Sequence, residues 1–358
     1  MAYFTLSEKV VLEQFDRVRQ EADVVSYSSK TNPEVTPLLE HSRADCLFSI
    51  HDERELVHVV EKRRVLFLAQ GLSFVQLDRL FALGIDRFVL DNEQDLATLL
   101  SWLEQDASRR LRQVFLRVKL KEHTIKTEKY FVFGMSSSIV SKHLLSLRGH
   151  EQIEELGIHF HRKSQNVAEW NLQYELEQLF DQEVLDAVQV INIGGGLPAV
   201  YANTNEKIFT GIFQKIRVFR EWLHQHRIAL MIEPGRFIAA PAGELHTTIM
   251  LVYEQNIIVY ASVYNSDMDA LIVPVKLLVK GELTREDARD DSAVKPYVIK
   301  GRTPCSMDLF RYRVWLRSPK KGDELVFLNA GAYNFTTDFC DLEKLATKVV
   351  DEGVRSHE

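Results

Sequence analysis

Between Val188 and Arg236 the chain runs VQVINIGGGLPAVY, then a long amphipathic stretch, then ALMIEPGR. Each end of this segment is an apolar run rich in β-branched residues that stops on glycine, as a fully buried parallel strand does. The amphipathic stretch between them has the spacing of one long helix. A strand–helix–strand unit of this kind belongs to α/β architectures, which build their sites just beyond the C-terminal strand ends. There the first strand meets Gly194, Gly195 and Gly196, whose peptide units have no Cβ to block an approaching phosphate. The second meets Glu233-Pro234-Gly235-Arg236, with Arg236 offering a planar fork of charged donors. A glycine run by itself is compatible with an ordinary turn. GGG followed one strand–helix unit later by EPGR is far more restrictive.

The same alternation extends upstream. Strand-like runs fall at 24–30, 46–50, 65–69, 88–90, 114–119, 158–161, 188–193 and 230–233, and helical patterns such as SFVQLDRLFALG separate most of them. Eight strands alternating with helices predict a (β/α)8 barrel. The longest interruption, 120–156, reads as an insertion near its mouth. Beyond Arg236 the rhythm changes. HTTIMLVYEQ, NIIVYASVYN, ALIVPVKLLVK, KPYVIKG and DELVFLNAG read as strands without intervening helices, which predicts a second, mostly antiparallel β-domain. The expected division is a barrel over 8–237 and a β-domain over 238–358. ELTREDARDDSA (282–293) reads as a solvated loop and DLEKLATKVVDE as a closing helix. At the start, YFTL is strand-like and Ser7 caps a helix.

Bulk properties narrow the partners. A net charge of −7 argues against nucleic acid or an anionic membrane surface. No apolar stretch approaches the roughly 20 residues a membrane helix needs. MAYFTLSEKVVLEQF lacks the basic and apolar segments of a signal peptide. Cys46, Cys305 and Cys340, odd in number and far apart, suggest reduced thiols and a cytoplasmic location. No metal is expected.

Set in this order, GGG and EPGR resemble the pyridoxal-phosphate decarboxylases that act on ornithine, diaminopimelate, arginine and carboxynorspermidine, a group with the alanine-racemase-like fold. YSSKTNP resembles the family motif Y-A-V-K-A-N-P through Tyr27, Lys30, Asn32 and Pro33. A lysine at a strand end either snorkels to solvent or, partly desolvated, becomes a Schiff-base nucleophile; the resemblance implies the second. GIHFHRKS resembles G-x-x-F/C-H-x-G-S. By that match His161 stacks on the cofactor ring and Ser164 reaches its phosphate, whereas alternation alone would have His159 and His161 as packed interior imidazoles. The resemblance also implies that Glu233 keeps the pyridine nitrogen protonated, so that the ring acts as an electron sink. Gly194 to Gly196, Gly235, Arg236 and Tyr333 (in GAY) would serve the cofactor, chiefly its phosphate.

The substrate-reading segments depart from the family. In GRTPCSMD, Pro304 stands at the place of the cysteine acid and Cys305 one residue later. Cys305 either protonates the decarboxylated carbanion or packs as a small apolar side chain. Asp267, Asp269, Arg302, Asp308 and, by looser analogy, Phe339 are the candidate substrate contacts. Lys163, Ser266 and Ser49 replace a family glycine and two common aspartates. The resemblance therefore implies decarboxylation of an amino acid, of diamino or polyamine type, in a head-to-tail homodimer whose GRTPCSMD loop completes the partner's barrel. Two alternatives are a racemase, against which Glu233 argues, and an inactive homologue that acts by binding a protein, for which Pro304 argues.

Overall fold

The computed structural model describes residues 1–120, 132–204, 207–334 and 336–351. Its contacts divide the chain into two compact units.

The larger unit, Phe15–Pro198 with Lys207–Gly235, is the barrel. After the first strand of the chain, β1 (Ala2–Ser7), its staves are β2 (Val24–Ser28), β3 (Leu47–Ile50), β4 (Val65–Ala69), β5 (Arg87–Leu90), β6 (Leu111–Arg117), β7 (Ile153–His159), β8 (Val190–Asn192) and β9 (Ala229–Ile232). They close into a ring, each paired parallel to its sequence neighbour, and β9 returns to β2 through Val24↔Met231 and Val25↔Ile232. Leu66, Val89, Phe115, Val190 and Met231 form one core cluster, packed to exclude water. Short polar side chains start the outer helices: Ser73 accepts from the Gln76 N–H, and Asn92 from that of Asp95. The helix expected between GGG and EPGR spans Ile208–Gln225.

Several staves stop earlier than their apolar runs suggest. Lys30 lies in a 3-10 turn, Ser29–Thr31, beyond β2, and His161 lies two residues past β7. The interruption at 120–156 holds a regular barrel helix, Ser137–Leu147, and the first part of β7. Most of KTEKYFVFGMS lies outside the described residues.

The second unit comprises Met1–Gln14, Ala199–Glu206 and Arg236–Glu358. Its strands are β1 with β10 (Gly243–Tyr253), β11 (Asn256–Val259), β12 (Leu278–Val279), β13 (Val294–Lys300), β14 (Leu309–Arg317), β15 (Glu324–Leu328) and β16 (Thr347–Val350). The order is β12-β15-β10-β11-β13-β14, and β1 pairs with both β10 and β16. The pairing is mostly antiparallel, except that β11/β13 and β1/β16 run parallel. The segment Ala199–Glu206 groups here, not with the barrel as the 8–237 division had it. Its backbone and side chains are tied to this unit: Ala202 N–H donates to Lys276 O, Asn203 Nδ2 to Pro274 O, and Val200 O accepts from Asn329 Nδ2.

Four sequence expectations change in this unit. The closing DLEKLATKVVDE is not a helix. Its Thr-Lys-Val-Val run, rich in β-branched residues, forms β16 against β1. NIIVYASVYN stops being a strand at Val259, because Ser262 caps the helical turn Val263–Ser266 in a capping box with Asn265. ALIVPVKLLVK supplies a turn of helix, Asp269–Ile272, and only two strand residues. The loop at 282–293 contains the helical turn Asp287–Asp290, with Leu283 bridged to Trp315. LFRYRVWLR, whose arginines at alternate positions masked it, is the long strand β14.

Candidate active site

The site residues of the barrel unit stand just beyond its C-terminal strand ends, and the pairing register brings them together. His159 pairs with Asn192, and Asn192 in turn with Met231. One step on, the Glu233 N–H donates to Gly194 O at 2.8 Å. Glu233 is buried, and its Oε1 accepts from Asn192 Nδ2 at 2.7 Å, with His159 Nε2 at 3.6 Å. Burial by itself would raise the Glu233 carboxyl. The neighbouring His159 ring, the Asn192 amide and the His161 ring outweigh it and hold the acid down at about 2. Glu233 is therefore an anion across the whole working range. Among the described residues no donor reaches its other oxygen.

Lys30 is exposed to solvent, yet most of its surroundings are protein, as for a group in a concave mouth. Burial lowers its pKa, and Glu233 leads the charges opposing that shift, followed by Glu55. Arg117, paired with Asp91 at 2.9 Å, adds positive charge to the same mouth. His51 and His161 are both pulled down to about 3, first by burial and next by the Lys30 charge, so both imidazoles are neutral. His159 is lowered too, with burial the largest cause.

The glycine loop is fixed by its neighbours. Gly194 has φ +62, and a Cβ there would sit 2.5 Å from Phe160 O. On Gly195 a Cβ would meet Glu233 O at 2.9 Å and the His161 ring at 3.1 Å. Two of the three N–H groups expected to face a phosphate are already engaged. Gly194 N–H donates to Asn192 Oδ1 at 2.9 Å, and Gly195 N–H to His161 Nδ1 at 3.1 Å. No described residue accepts the Gly196 N–H, and the main chain of Lys163, next to half-buried Ser164, lies against Gly196. Gly235 packs on Thr31.

In the second unit Arg236, buried, is held by a two-pronged ion pair. Nη2 donates to Asp269 Oδ1 at 2.9 Å, and Nη1 contacts Asp269 Oδ2 and donates to Tyr201 OH at 2.9 Å. The guanidinium also stacks on Tyr333, 5.0 Å from its centroid. Asp269, expected at the substrate, is thus committed to Arg236. Asp267 beside it is buried, and burial, reinforced by the Asp269 charge, raises its pKa well above the ordinary carboxylate value. Asp308 is likewise an anchor and not an open contact. Its oxygens accept from Ser262 Oγ, the Val263 N–H, the Thr303 N–H and Thr303 Oγ1. Cys305 lies with its Sγ 2.9 Å from Tyr264 OH, which lowers its thiol pKa, and Tyr264 stacks on Phe339 with centroids 3.9 Å apart. Arg302 is exposed, its guanidinium over the Tyr260 ring.

The barrel set answers a definite chemical demand: an accessible amine with a lowered pKa, a permanently ionised buried acid, neutral imidazoles and a cradle that only glycine can form. It fits an aldehyde cofactor with a basic ring nitrogen. Residues 8–240 match the family model described as pyridoxal-dependent decarboxylase, pyridoxal binding domain. The chain belongs to the pyridoxal-dependent decarboxylase family. Within that family it is 25% identical over 229 residues to the diaminopimelate decarboxylase of Campylobacter jejuni, covering 62% of this chain and 56% of the relative. It is 31% identical to that of Pseudomonas fluorescens over 145 residues, 40% of this chain and 33% of the relative. The chain thus spans about half the length of the curated relatives it matches, or less. Solved structures share the fold across nearly all of it. A diaminopimelate decarboxylase from Helicobacter pylori complexed with L-lysine superposes with TM-score 0.76 at 18% identity, covering 98% of this chain and 91% of that one. A lysine/ornithine decarboxylase from Vibrio vulnificus complexed with cadaverine does so with TM-score 0.78 at 19% identity, covering 98% and 95%.

Sequence reasoning missed Asn192, Tyr201, Tyr264, His51 and Glu55. Asn192 carried a signal, since a lone amide inside an otherwise apolar strand must have a partner. The others sit in turns whose geometry no periodicity reports.

Proposed function

We propose that the protein is a pyridoxal-phosphate-dependent decarboxylase of an amino acid, with diamino acids as its substrate class. The observation that carries this reading is the placement of Lys30 and ionised Glu233 just past the ends of the neighbouring strands β2 and β9, where the Glu233 charge acts on the lysine, within a chain of this family. When bound, the cofactor supplies an aldehyde for amine exchange and an electron-withdrawing ring that accepts the electrons left by departing carbon dioxide. Lys30 is the anchoring amine, and burial keeps a larger share of it neutral than an ordinary lysine would have. Glu233, aligned by Asn192, holds a proton on the ring nitrogen. His161, neutral and fixed by the Gly195 N–H, would by family resemblance offer its uncharged ring to the cofactor. Ser164 and Gly196 serve the phosphate. Arg236 and Tyr333 join them by family resemblance, and Asp269 sets the Arg236 fork. Cys305 is the proton donor to the substrate carbon, activated by Tyr264.

By the same resemblance the protein works as a homodimer in which the loop carrying Cys305 completes the partner's site, and its three widely spaced cysteines favour a cytoplasmic location. The relatives act on diaminopimelate, lysine or ornithine by their names, which supports a diamino acid here. The test is carbon dioxide release from a panel of diamino acids with added cofactor. Release that disappears in Lys30→Ala supports the reading. Bound cofactor with no release from any member of the panel favours the inactive homologue.

A further inference from the structure

A second polar corner of the barrel mouth has no part in the roles above. The β2/β3 register pairs Ser28 with Ser49, so Lys30 and His51, each two residues further on, occupy equivalent places past adjacent parallel strands. The 3-10 turn Glu53–His58 then folds Glu55 back, and Glu55 Oε1 accepts the His51 N–H at 3.2 Å. Glu55 Oε2 and His51 Nδ1 are buried without a hydrogen-bond partner. Buried polar atoms are nearly always paired, so an unpaired acid oxygen in a turn that packs against the Lys30 turn calls for an arriving group or a moving proton. Ser49, the other polar side chain at this strand end, is bonded to Ser26 Oγ at 2.7 Å. His51 also lines a polar cavity of about 370 Å³ with Phe67, Gln70 and Gln76.

We propose that Glu55, fixed by the His51 main chain, accepts the proton that Lys30 sheds when its amine bonds to a carbonyl carbon, and returns it when that amine is released. This rests on Lys30 being the anchoring amine proposed above. In the transfer one Lys30 Nζ–H bond breaks and one Glu55 Oε2–H bond forms. The ammonium becomes a neutral amine and the carboxylate a carboxylic acid, so net charge is unchanged.

The surrounding charges favour this assignment over the rival acceptor. Burial lowers Lys30 and raises Glu55, so the two groups approach each other in proton affinity. Glu233, bonded to Asn192 and held at about 2, is a poor acceptor. Lys30 is faced by Glu233, Glu55 and Arg117; His51 by Lys30, Glu233, His159 and Arg117; and Glu55 by Lys30 and Asp52. His51, kept neutral there, is a positioning residue.

The test uses the cofactor-free full chain with Glu55→Gln. Trace acetylation of Lys30 across a pH series, read by mass spectrometry, gives its titration midpoint. Loss of the counter-charge lowers that midpoint by about one pKa unit. Incorporation of pyridoxal 5'-phosphate at neutral pH, read by absorbance, slows about tenfold or more even though more of the amine is neutral. A midpoint and a rate both equal to wild type overturn the proposal, as does a rate that rises in proportion to free amine. If Glu55→Gln does not fold, Glu55→Asp takes its place. It is expected to keep the midpoint and lose rate, and a wild-type rate there overturns the proposal. If wild-type protein incorporates no cofactor, the functional reading fails while the labelling midpoint still decides the Lys30–Glu55 coupling.

Discussion

Replacing Glu233 with glutamine removes a charge while leaving the shape of the site intact. The Asn192 Nδ2 donor at 2.7 Å can keep an amide oxygen as its acceptor, and His159 at 3.6 Å keeps its neighbour. The expected loss therefore traces to ionisation alone. A carboxyl drawn from 4.5 down to about 2 in the folded protein contributes on the order of 3 kcal/mol to stability above the unfolded value. The sign follows from the direction: a depressed acid stabilises fully above about 4.5, and that contribution is lost as pH falls toward 2. His51 and His161, both lowered, also cost stability below their ordinary 6.5, because the unfolded chain takes up protons the folded one refuses. That loss begins at higher pH and is somewhat larger in Glu233→Gln, where the carboxylate that supports both imidazolium ions is gone. Urea unfolding of the cofactor-free forms from pH 6 to pH 2.5 separates the two effects. Wild type should show an additional fall below about 4.5 that Glu233→Gln lacks, and the loaded variant should decarboxylate more slowly because the ring nitrogen loses its anionic partner. Superimposable curves for the two proteins below that pH would refute the ionised-acid account.

Two further outcomes are expected. Tyr264→Phe removes the hydroxyl 2.9 Å from Cys305 Sγ; the thiol pKa then rises, so reaction with a disulfide reagent at pH 8 slows and shifts to higher pH. In the second unit, His246 lies between Glu244 (3.3 Å) and Glu324 (3.2 Å), and its pKa is raised chiefly by the Glu244 hydrogen bond. A raised base stabilises below its unfolded value near 6.5 and loses that contribution as pH climbs past the folded value, so thermal melts of His246→Gln should flatten the wild-type decline over that interval.

The barrel was legible because buried parallel strands must be apolar along their whole length and must alternate with helices. The turns after them were less so. Lys30 was found by its motif, but its place in a 3-10 turn past β2 depends on where backbone pairing ends, which apolar content does not mark. Glu55 illustrates the deeper limit. Nothing in HDEREL distinguishes one acid from its neighbours until the turn folds it back onto the His51 N–H. The second unit was harder still. β14 carries Arg311, Arg313 and Arg317 in a strand that apolar patterning does not pick out, and β16 lies in a segment whose lysines and leucines suggested a helix. In both, β-branched or aromatic residues favour a strand, but the charged neighbours hide the pattern until the pairing is seen. The roles given to Asp269 and Asp308 could not be read from type and position. Each is an acid near the expected substrate, and only the hydrogen bonds reveal that one is committed to Arg236 and the other to its own loop.

The account depends on Lys30 as the covalent anchor of the cofactor. Borohydride reduction of the protein incubated with pyridoxal 5'-phosphate, followed by digestion and mass spectrometry, tests this directly. The account predicts one stable adduct, on the peptide containing Lys30, absent from Lys30→Ala. An adduct on another lysine with Lys30 unmodified, or undiminished labelling in Lys30→Ala, would contradict it.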